Sequence, residues 1–406
     1  MTFKMAIKMR LNAAALLLAA SASIASAADD VIRIGVLNDQ SGVFADNGGQ
    51  GSVAAAKLAA EEFGNEILGR KIEIIFADHQ NKPDVAAATA RKWFDNEGVD
   101  VIADGAASSA GFAILEVARQ KNKIFVISGP GSSDFTGKSC SPTSFHFNYD
   151  TYALSKMTSD AVTRGGGKDW YFIAADYAFG HALQRDATRF IEAAGGKVVG
   201  SAAHPLGTAD FASFLLQAQA SKAKVVGLAT SGADVQTAIK QAGEFGIVQG
   251  GQSLAGLLVF ITDVHALGLR TTQGLQVTTS FYWDLNDRTR AWSKRYAALM
   301  GGKVASMVQA GVYSGVHHYL AAVKAAGTTD PAVVAAKMHE LKVNDMYNQD
   351  VAVRADGRVL HTMYLVQVKT PEESRYKYDY YKIVSSQPGE QVFRQLAEGG
   401  CPLVKQ

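Results

Sequence analysis

Two short runs of small and hydroxyl-bearing residues are the parts of this chain best suited to chemistry: Gly105-Ala106-Ala107-Ser108-Ser109-Ala110 and Gly129-Pro130-Gly131-Ser132-Ser133. Each follows a β-branched apolar stretch, and the first opens an amphipathic one, so it reads as a strand-to-helix turn. The first backbone N–H groups of a helix have no intrahelical acceptor and carry the positive end of its dipole. Such turns suit a carboxylate or another anionic oxygen. The same serines would instead cap their own helices and leave no donor free. Pro130 has no N–H, which puts a backbone contact at that position in doubt.

A second set is aromatic: Phe44 in the first loop, Tyr177 and Phe179 after a later strand, Phe260 further on, and Tyr282-Trp283 near a third strand end. Aromatic walls pair large apolar area with defined geometry, and suit a planar or apolar body. Asp263 follows closely on Phe260, where it would either face an ammonium group or cap a helix.

Catalytic patterns are poor. Gly131 to Ser139 resembles a phosphate loop but carries one residue too many between its glycines. There is no His-Glu-x-x-His, and Gly251-Gln252-Ser253-Leu254-Ala255 lacks the closing glycine of a nucleophile elbow. His317 and His318 are adjacent, so on a helix they point about 100° apart and share no metal face. Two cysteines without nearby histidine spacing make no zinc site. Neither an enzyme nor a metal or cofactor is expected.

The elements that must position these residues alternate regularly. Strands are expected at Val31 to Leu37, Lys71 to Ala77, Val101 to Ala103 and Ile124 to Ser128, with helices at Gly49 to Phe63, Asp84 to Asn96 and Ser109 to Gln120. A second series follows: helix Tyr152 to Arg164, strand Asp169 to Ala174, helix Gly180 to Ala194, strand Lys197 to Ala203, helix Phe211 to Ser221, strand Val225 to Ala229 and helix Gly232 to Phe245. This βα rhythm predicts two α/β lobes, each a doubly wound parallel sheet. Leu275 to Phe281 extends the second series as a strand, and helices Thr289 to Leu299 and Val308 to Ala326 follow. Near the end, Ala355-Asp356-Gly357 between apolar runs predicts a hairpin, placed on the second lobe.

The N-terminus puts Lys4, Lys8 and Arg10 before the apolar run Ala13 to Ala20 and the small-residue tail Ala25-Ser26-Ala27. That order predicts a secretory signal peptide, residues 1–27, cleaved after Ala27, and a periplasmic location. The apolar run is too short to span a bilayer. The whole chain has 40 Lys plus Arg against 38 Asp plus Glu, and removing the leader takes away only the three basic residues just named. A near-neutral chain has no electrostatic footprint for nucleic acid or an anionic membrane. In an oxidising compartment Cys140 and Cys401 read best as one disulfide tying the tail to a loop near the first domain junction, with two free cysteines the alternative.

On these motifs the sequence resembles the type I periplasmic binding proteins of the branched-chain amino-acid (Leu/Ile/Val) receptor family. The carrying residues are Ile32-Arg33-Ile34-Gly35, Asp39-Gln40-Ser41-Gly42, Gly49-Gln50-Gly51, Glu61-Glu62, Ser108-Ser109-Ala110, Ile127 to Ser133 and Asp176-Tyr177-Ala178-Phe179-Gly180. The resemblance implies three crossings between the lobes, near residues 148, 278 and 354, and a ligand in the interlobe cleft. It makes residues 28–148 plus 279–354 the first lobe and residues 149–278 plus 355–406 the second. The stretches Gly42 to Gly51, Ser128 to Asp134, Asp176 to Gly180 and Phe260-Ile261-Thr262-Asp263 resemble a subgroup that takes up aromatic carboxylates such as hydroxybenzoates and hydroxycinnamates. The implied function is a receptor for an ABC importer, working with membrane permease subunits, and a monomer is expected. The implied ligand residues are Phe44, Ser108, Ser109, Ala110, Gly131, Ser132, Ser133, Tyr177, Phe179, Phe260, Asp263 and Tyr282. Among them Ser132 would contact a carboxylate, and Tyr177 and Phe179 would clamp the ligand body. An amino-acid ligand would instead set Asp263 against its ammonium group. A ligand-sensing module and a secreted hydrolase are the readings of other classes.

Overall fold

The computed structural model describes residues 31–404, so the expected signal peptide lies outside the described residues. The first sheet has six strands in the order β2-β3-β1-β4-β5-β6. They are β1 Val31–Asn38, β2 Glu66–Ile67, β3 Arg70–Asp78, β4 Val99–Asp104, β5 Ile124–Ile127 and β6 Ser144–His146. All neighbours run parallel except the short β2, which turns back on β3. The alternation Ile32, Ile34, Val36 points one row of β1 into a core shared with helix α1, Gly49–Glu61. The opposite face packs helices α2, Pro83–Asn96, and α3, Ser108–Gln120. Trp93 of α2 lies so close to Gly35 that a Cβ there would enter its ring.

The second lobe is built on β7 Asp169–Ala175, β8 Lys197–His204, β9 Val225–Ala229 and β10 Ser253–Gly256, in the order β10-β9-β7-β8 and all parallel. Its helices are α4 Thr151–Arg164, α5 Ala178–Ala193, α6 Ala212–Ala220, α7 Ala233–Glu244, α8 Ile261–Leu267 and the single turn α9 Leu269–Thr272. Trp170 and Phe172 face Leu183 and Ala187 of α5. Tyr171 and Ile173 face Leu215 and Ala238 of α6 and α7 on the other side.

Two expectations are corrected here. The strand near Leu275 does not extend the parallel series: β11, Gln276–Thr279, pairs antiparallel with β12, Met363–Val368, which pairs antiparallel with β13, Tyr381–Gln387. The turn Ala355-Asp356-Gly357 does reverse the chain, closed by an antiparallel Val353–Val359 bridge, but it sits on the first sheet. There Arg358 bridges His146 of β6 in parallel, and Gly357, at φ +81°, lies against the Ser144 carbonyl where a Cβ would not fit.

Helices α10 Asp287–Leu299, α11 Met307–Ala326 and α12 Pro331–Glu340 complete the first lobe, with α11 packed along α1. Two buried side chains stitch the strands that pass between the lobes. The Asn148 amide donates to the Met307 carbonyl at 2.9 Å and accepts from Ser280 Oγ at 2.7 Å. The Arg358 guanidinium, wholly buried, donates to the carbonyls of His146 and Asn148 and pairs with Asp150 at 3.3 Å. Cys140 and Cys401 form the disulfide, with Cα atoms 5.6 Å apart. Among the described residues no helix is long and apolar enough to cross a membrane.

Candidate functional site

The carboxyl ends of β1, β4, β5, β7 and β9 face one another across a cleft, as expected for ligand sites in open parallel sheets. The cleft holds a narrow, partly open cavity lined by residues of both lobes. Of the twelve residues singled out from the sequence, Phe44, Ser108, Gly131, Tyr177, Phe179 and Phe260 line it.

The turn after β4 is held in an uncommon backbone shape, with φ of +84° at Asp104, +100° at Gly105 and +45° at Ala106. The Asp104 carboxylate explains how this is tolerated. It accepts from Asn38 Nδ2 at 2.8 Å, Ser52 Oγ at 2.6 Å, the Gly129 N–H at 3.1 Å and the Ala106 N–H at 3.4 Å. Burial raises its pKa above the ordinary carboxylate value, and these donors pull the other way. One buried acid thus fastens the turns after β4 and β5 together at the cavity wall.

Four of the helices that open onto the cavity begin without a side-chain cap. α1, α3, α5 and α7 begin at Gly48, Ala107, Tyr177 and Gly232, and no side chain caps any of them. The cavity does not set them apart: α11, which brings Val308 to the lining, is capped by Ser306, and α2 and α6, which bring nothing to it, also start without a side-chain cap. Uncapped N-termini leave N–H donors and a positive potential, which favour a bound anionic group, although at α7 the first donor, the Ala233 N–H, is already taken by the Val43 carbonyl. Ser108 adds to them. Its Oγ accepts from the Ser132 N–H at 3.1 Å, which leaves its hydroxyl proton to donate. Among the described residues no lysine or arginine lines the cavity, so the hydrogen-bond donors it offers are neutral.

Aromatic rings form the rest of the wall. Tyr149 and Phe260 meet edge to face, centroids 5.9 Å apart, while Tyr177 and Phe179 lie 6.1 Å apart. Tyr149 is fixed by its hydroxyl, which donates to the Gly129 carbonyl at 2.8 Å. Gly131 must be small, because a Cβ there would stand 2.9 Å from the Phe179 ring and closer still to Tyr149. Pro130 turns its ring away from the cavity onto Gly105 and Gly111, so its missing N–H takes nothing from the lining.

The remaining six residues lie off the cavity. Ser109 and Ala110 belong to the first turn of α3, and the Ala110 side chain is in the core. Ser132 caps a short 3-10 turn through the Asp134 N–H, and the Ser133 hydroxyl donates to Asp186 at 2.7 Å. Tyr282 packs in the second-lobe core and reaches the Tyr378 carbonyl. Asp263 is buried at the start of α8, where it accepts from the Phe260 N–H at 2.8 Å and Gln236 Nε2 at 2.7 Å. Loss of solvent pushes its pKa up to about 7.

Lining residues beyond the expected ones are Asn47, Gly48, Asp104, Ala106, Gly129, Tyr149, Ser231, Leu258 and Val308. Ala106 and Gly129 fall inside the runs singled out for chemistry, and an acid just before Gly105 at a strand end was a readable signal for Asp104. Tyr149, Leu258 and Val308 arrive from distant segments and carry no local sign. The two lobes touch beyond the cavity: the Ala233 N–H donates to the Val43 carbonyl at 3.0 Å, and Thr262 Oγ1 donates to Asn47 Oδ1 at 2.6 Å. Among the described residues no group of three or more His, Cys, Asp or Glu is placed to hold a metal ion.

Two parallel-sheet lobes, three connecting passages and a lined cleft between them define a two-lobed solute-binding protein of the type I architecture. A periplasmic binding protein family model matches residues 31–374, and the chain belongs to that family. A periplasmic binding protein from Burkholderia mallei is 47% identical, with a TM-score of 0.91 over 93% of this chain and 100% of that one. A branched-chain amino acid ABC transporter periplasmic ligand-binding protein from Burkholderia xenovorans is 39% identical, with a TM-score of 0.80 over 92% and 99% of the two chains. An ABC transporter solute-binding protein from Rhodopseudomonas palustris, in complex with 3,4-dihydroxybenzoic acid, is 21% identical and shares the fold, with a TM-score of 0.80 over 89% and 98%. The chain is thus a periplasmic solute-binding protein of an ABC transporter, a class that binds small molecules and presents them to membrane permease components.

Proposed function

We propose that the protein captures a small organic carboxylate with an aromatic or similarly apolar body, closes its lobes around it and delivers it to its permease. The observation that carries this reading is the convergence of uncapped helix N-termini on a cavity walled by Phe44, Tyr149, Tyr177, Phe179 and Phe260. The donors of α3 and Ser108 would hold the carboxylate, and the rings would hold the body. The Rhodopseudomonas palustris complex with a dihydroxybenzoic acid is consistent with that ligand class.

An amino acid is the second reading, favoured by the relative from Burkholderia xenovorans. Its ammonium group needs an acceptor. Asp263 is spent on capping α8, and Asp104, the one acid in the lining, already accepts four hydrogen bonds. The geometry therefore favours the aromatic acid.

In this reading residues 1–27 direct export and are removed after Ala27. The lobes are residues 28–148 plus 279–354 and residues 149–278 plus 355–406, with the third passage shifted towards residue 360 by the Val353–Val359 and His146–Arg358 bridges. Closure is stabilised by contacts made to both sides of the ligand. The test is a thermal-shift screen of residues 28–406 against aromatic carboxylates and against apolar amino acids, since a ligand of the native state raises the melting temperature. A rise with aromatic acids alone supports the proposal. A rise with amino acids alone refutes the ligand class.

A further inference from the structure

Buried polar atoms are almost always hydrogen-bonded, and an exception asks for a partner outside the chain. Several buried side-chain atoms here have no partner within the protein, and among the described residues one belongs to a side chain that lines the cavity: Asn47 Nδ2. Asn47 is 2% exposed. Its backbone is pinned, with its N–H donating to the Phe44 carbonyl at 3.1 Å and its carbonyl accepting from Ser306 Oγ at 2.5 Å. Gln309 Nε2 holds the flanking Asp46 and Gly48 carbonyls, each at 3.1 Å. The amide is thus fixed in place before any ligand arrives, as a recognition group should be. Its other end is already used: Oδ1 accepts from Thr262 Oγ1, a residue of α8 on the opposite lobe, at 2.6 Å.

We propose that Asn47 couples ligand recognition to closure, with Nδ2 donating to an acceptor oxygen of the bound carboxylate compound while Oδ1 latches Thr262. One planar amide then serves both sides of the cleft. The ligand supplies the acceptor that the protein lacks, and the lobe bearing Thr262 holds the amide in the orientation that donates. A ligand without an oxygen at this point leaves a buried donor unmet, which amounts to roughly a 5- to 150-fold loss of affinity. This makes Asn47 a specificity-determining residue, and it rests on the carboxylate reading above.

The experiment measures affinity and dissociation rate of residues 28–406 for benzoate, 4-hydroxybenzoate and 4-hydroxycinnamate, in the wild type and in Asn47→Ala, Asn47→Asp, Thr262→Val and the Asn47→Ala/Thr262→Val pair. Ligand-free melting curves are recorded for each. For the tightest of the three probes, Asn47→Ala should bind about 5- to 150-fold more weakly, the scale of one lost buried donor. Asn47→Asp should be weaker still, because it replaces a donor with a second anion. Thr262→Val should dissociate faster with a smaller loss of affinity, and the double variant should match Asn47→Ala, since both substitutions break one latch. Wild-type binding to a probe with unchanged affinity in Asn47→Ala would overturn the inference and leave the ligand class standing. Tighter binding by Asn47→Asp would also overturn it, by showing that the amide oxygen faces the ligand. Failure of the wild type to bind any of the probes would remove the ligand class, and this inference with it.

Discussion

Gly232 offers a way to block closure without touching the ligand. It begins α7 at φ +65° and ψ −144°, a region that only glycine enters freely. A Cβ there would stand 2.8 Å from the Phe44 ring and closer still to the Val43 carbonyl, both on the opposite lobe. Next to it, the Ala233 N–H makes its cross-cleft bond to that same carbonyl at 3.0 Å. In Gly232→Ala the lobes must separate to relieve the clash, and that bond is lost. The bond contributes about 0.5–1.5 kcal/mol, and overpacking typically adds about 1–3 kcal/mol. Closure should therefore be disfavoured by roughly 1.5–4.5 kcal/mol, a loss of about ten- to two-thousandfold in affinity. Backbone strain of about 1–3 kcal/mol acts on folding in open and closed forms alike. The assay is titration calorimetry with small-angle scattering of the liganded protein, beside a ligand-free melting curve. Wild-type affinity and full compaction in Gly232→Ala would refute the reasoning that these contacts belong to the closed state.

Arg358→Ala leaves the buried Asp150 without its cation, and should lower stability by about 3–5 kcal/mol in urea unfolding; a loss under about 1 kcal/mol would mean that the pair is solvated. Replacing Cys140 and Cys401 by serine releases a link between residues 261 apart, for which chain entropy sets an upper bound of about 5.5 kcal/mol. Unchanged melting under reducing and oxidising conditions would refute that contribution. Asp263 titrates near 7 when folded, above its unfolded value, so the folded state binds the extra proton between about pH 4 and 7. Its contribution is complete below the unfolded pKa and is lost as pH rises through the folded one, by up to about 4 kcal/mol. Asp263→Asn should flatten that part of the stability profile, and identical profiles in the two proteins would contradict the shift.

The local part of the design is written in neighbouring residues. Apolar runs with period 2 and 3.6 placed most strands and long helices of both lobes within a few residues, because burial of one face is written into neighbouring side chains. The glycine- and serine-rich turn before α3 and the aromatics Phe44, Tyr177, Phe179 and Phe260 were legible for the same reason, since they close or open those elements. Short or unpatterned pieces were not. β6 has three residues, too few for periodicity to speak, and β10, Ser253–Gly256, carries no β-branched residue to mark it as a strand. α12 is absent from the expected helices although Asp330-Pro331 carries a start signal.

Tertiary structure alone decided the rest. β11 follows a βα series and would join it by rhythm, yet it pairs with β12 from the far end of the chain, and a strand partner so distant in sequence leaves no local trace. Gly357 leads its turn onto β6 for want of a Cβ that would meet Ser144. Asp263 could have faced a ligand or capped a helix, and burial beside the Phe260 N–H and Gln236 chose the cap. Tyr149, Leu258 and Val308 reach one cavity from three separate segments. A cavity wall is a property of which surfaces meet, and that depends on how the lobes pack, which no single stretch of residues encodes.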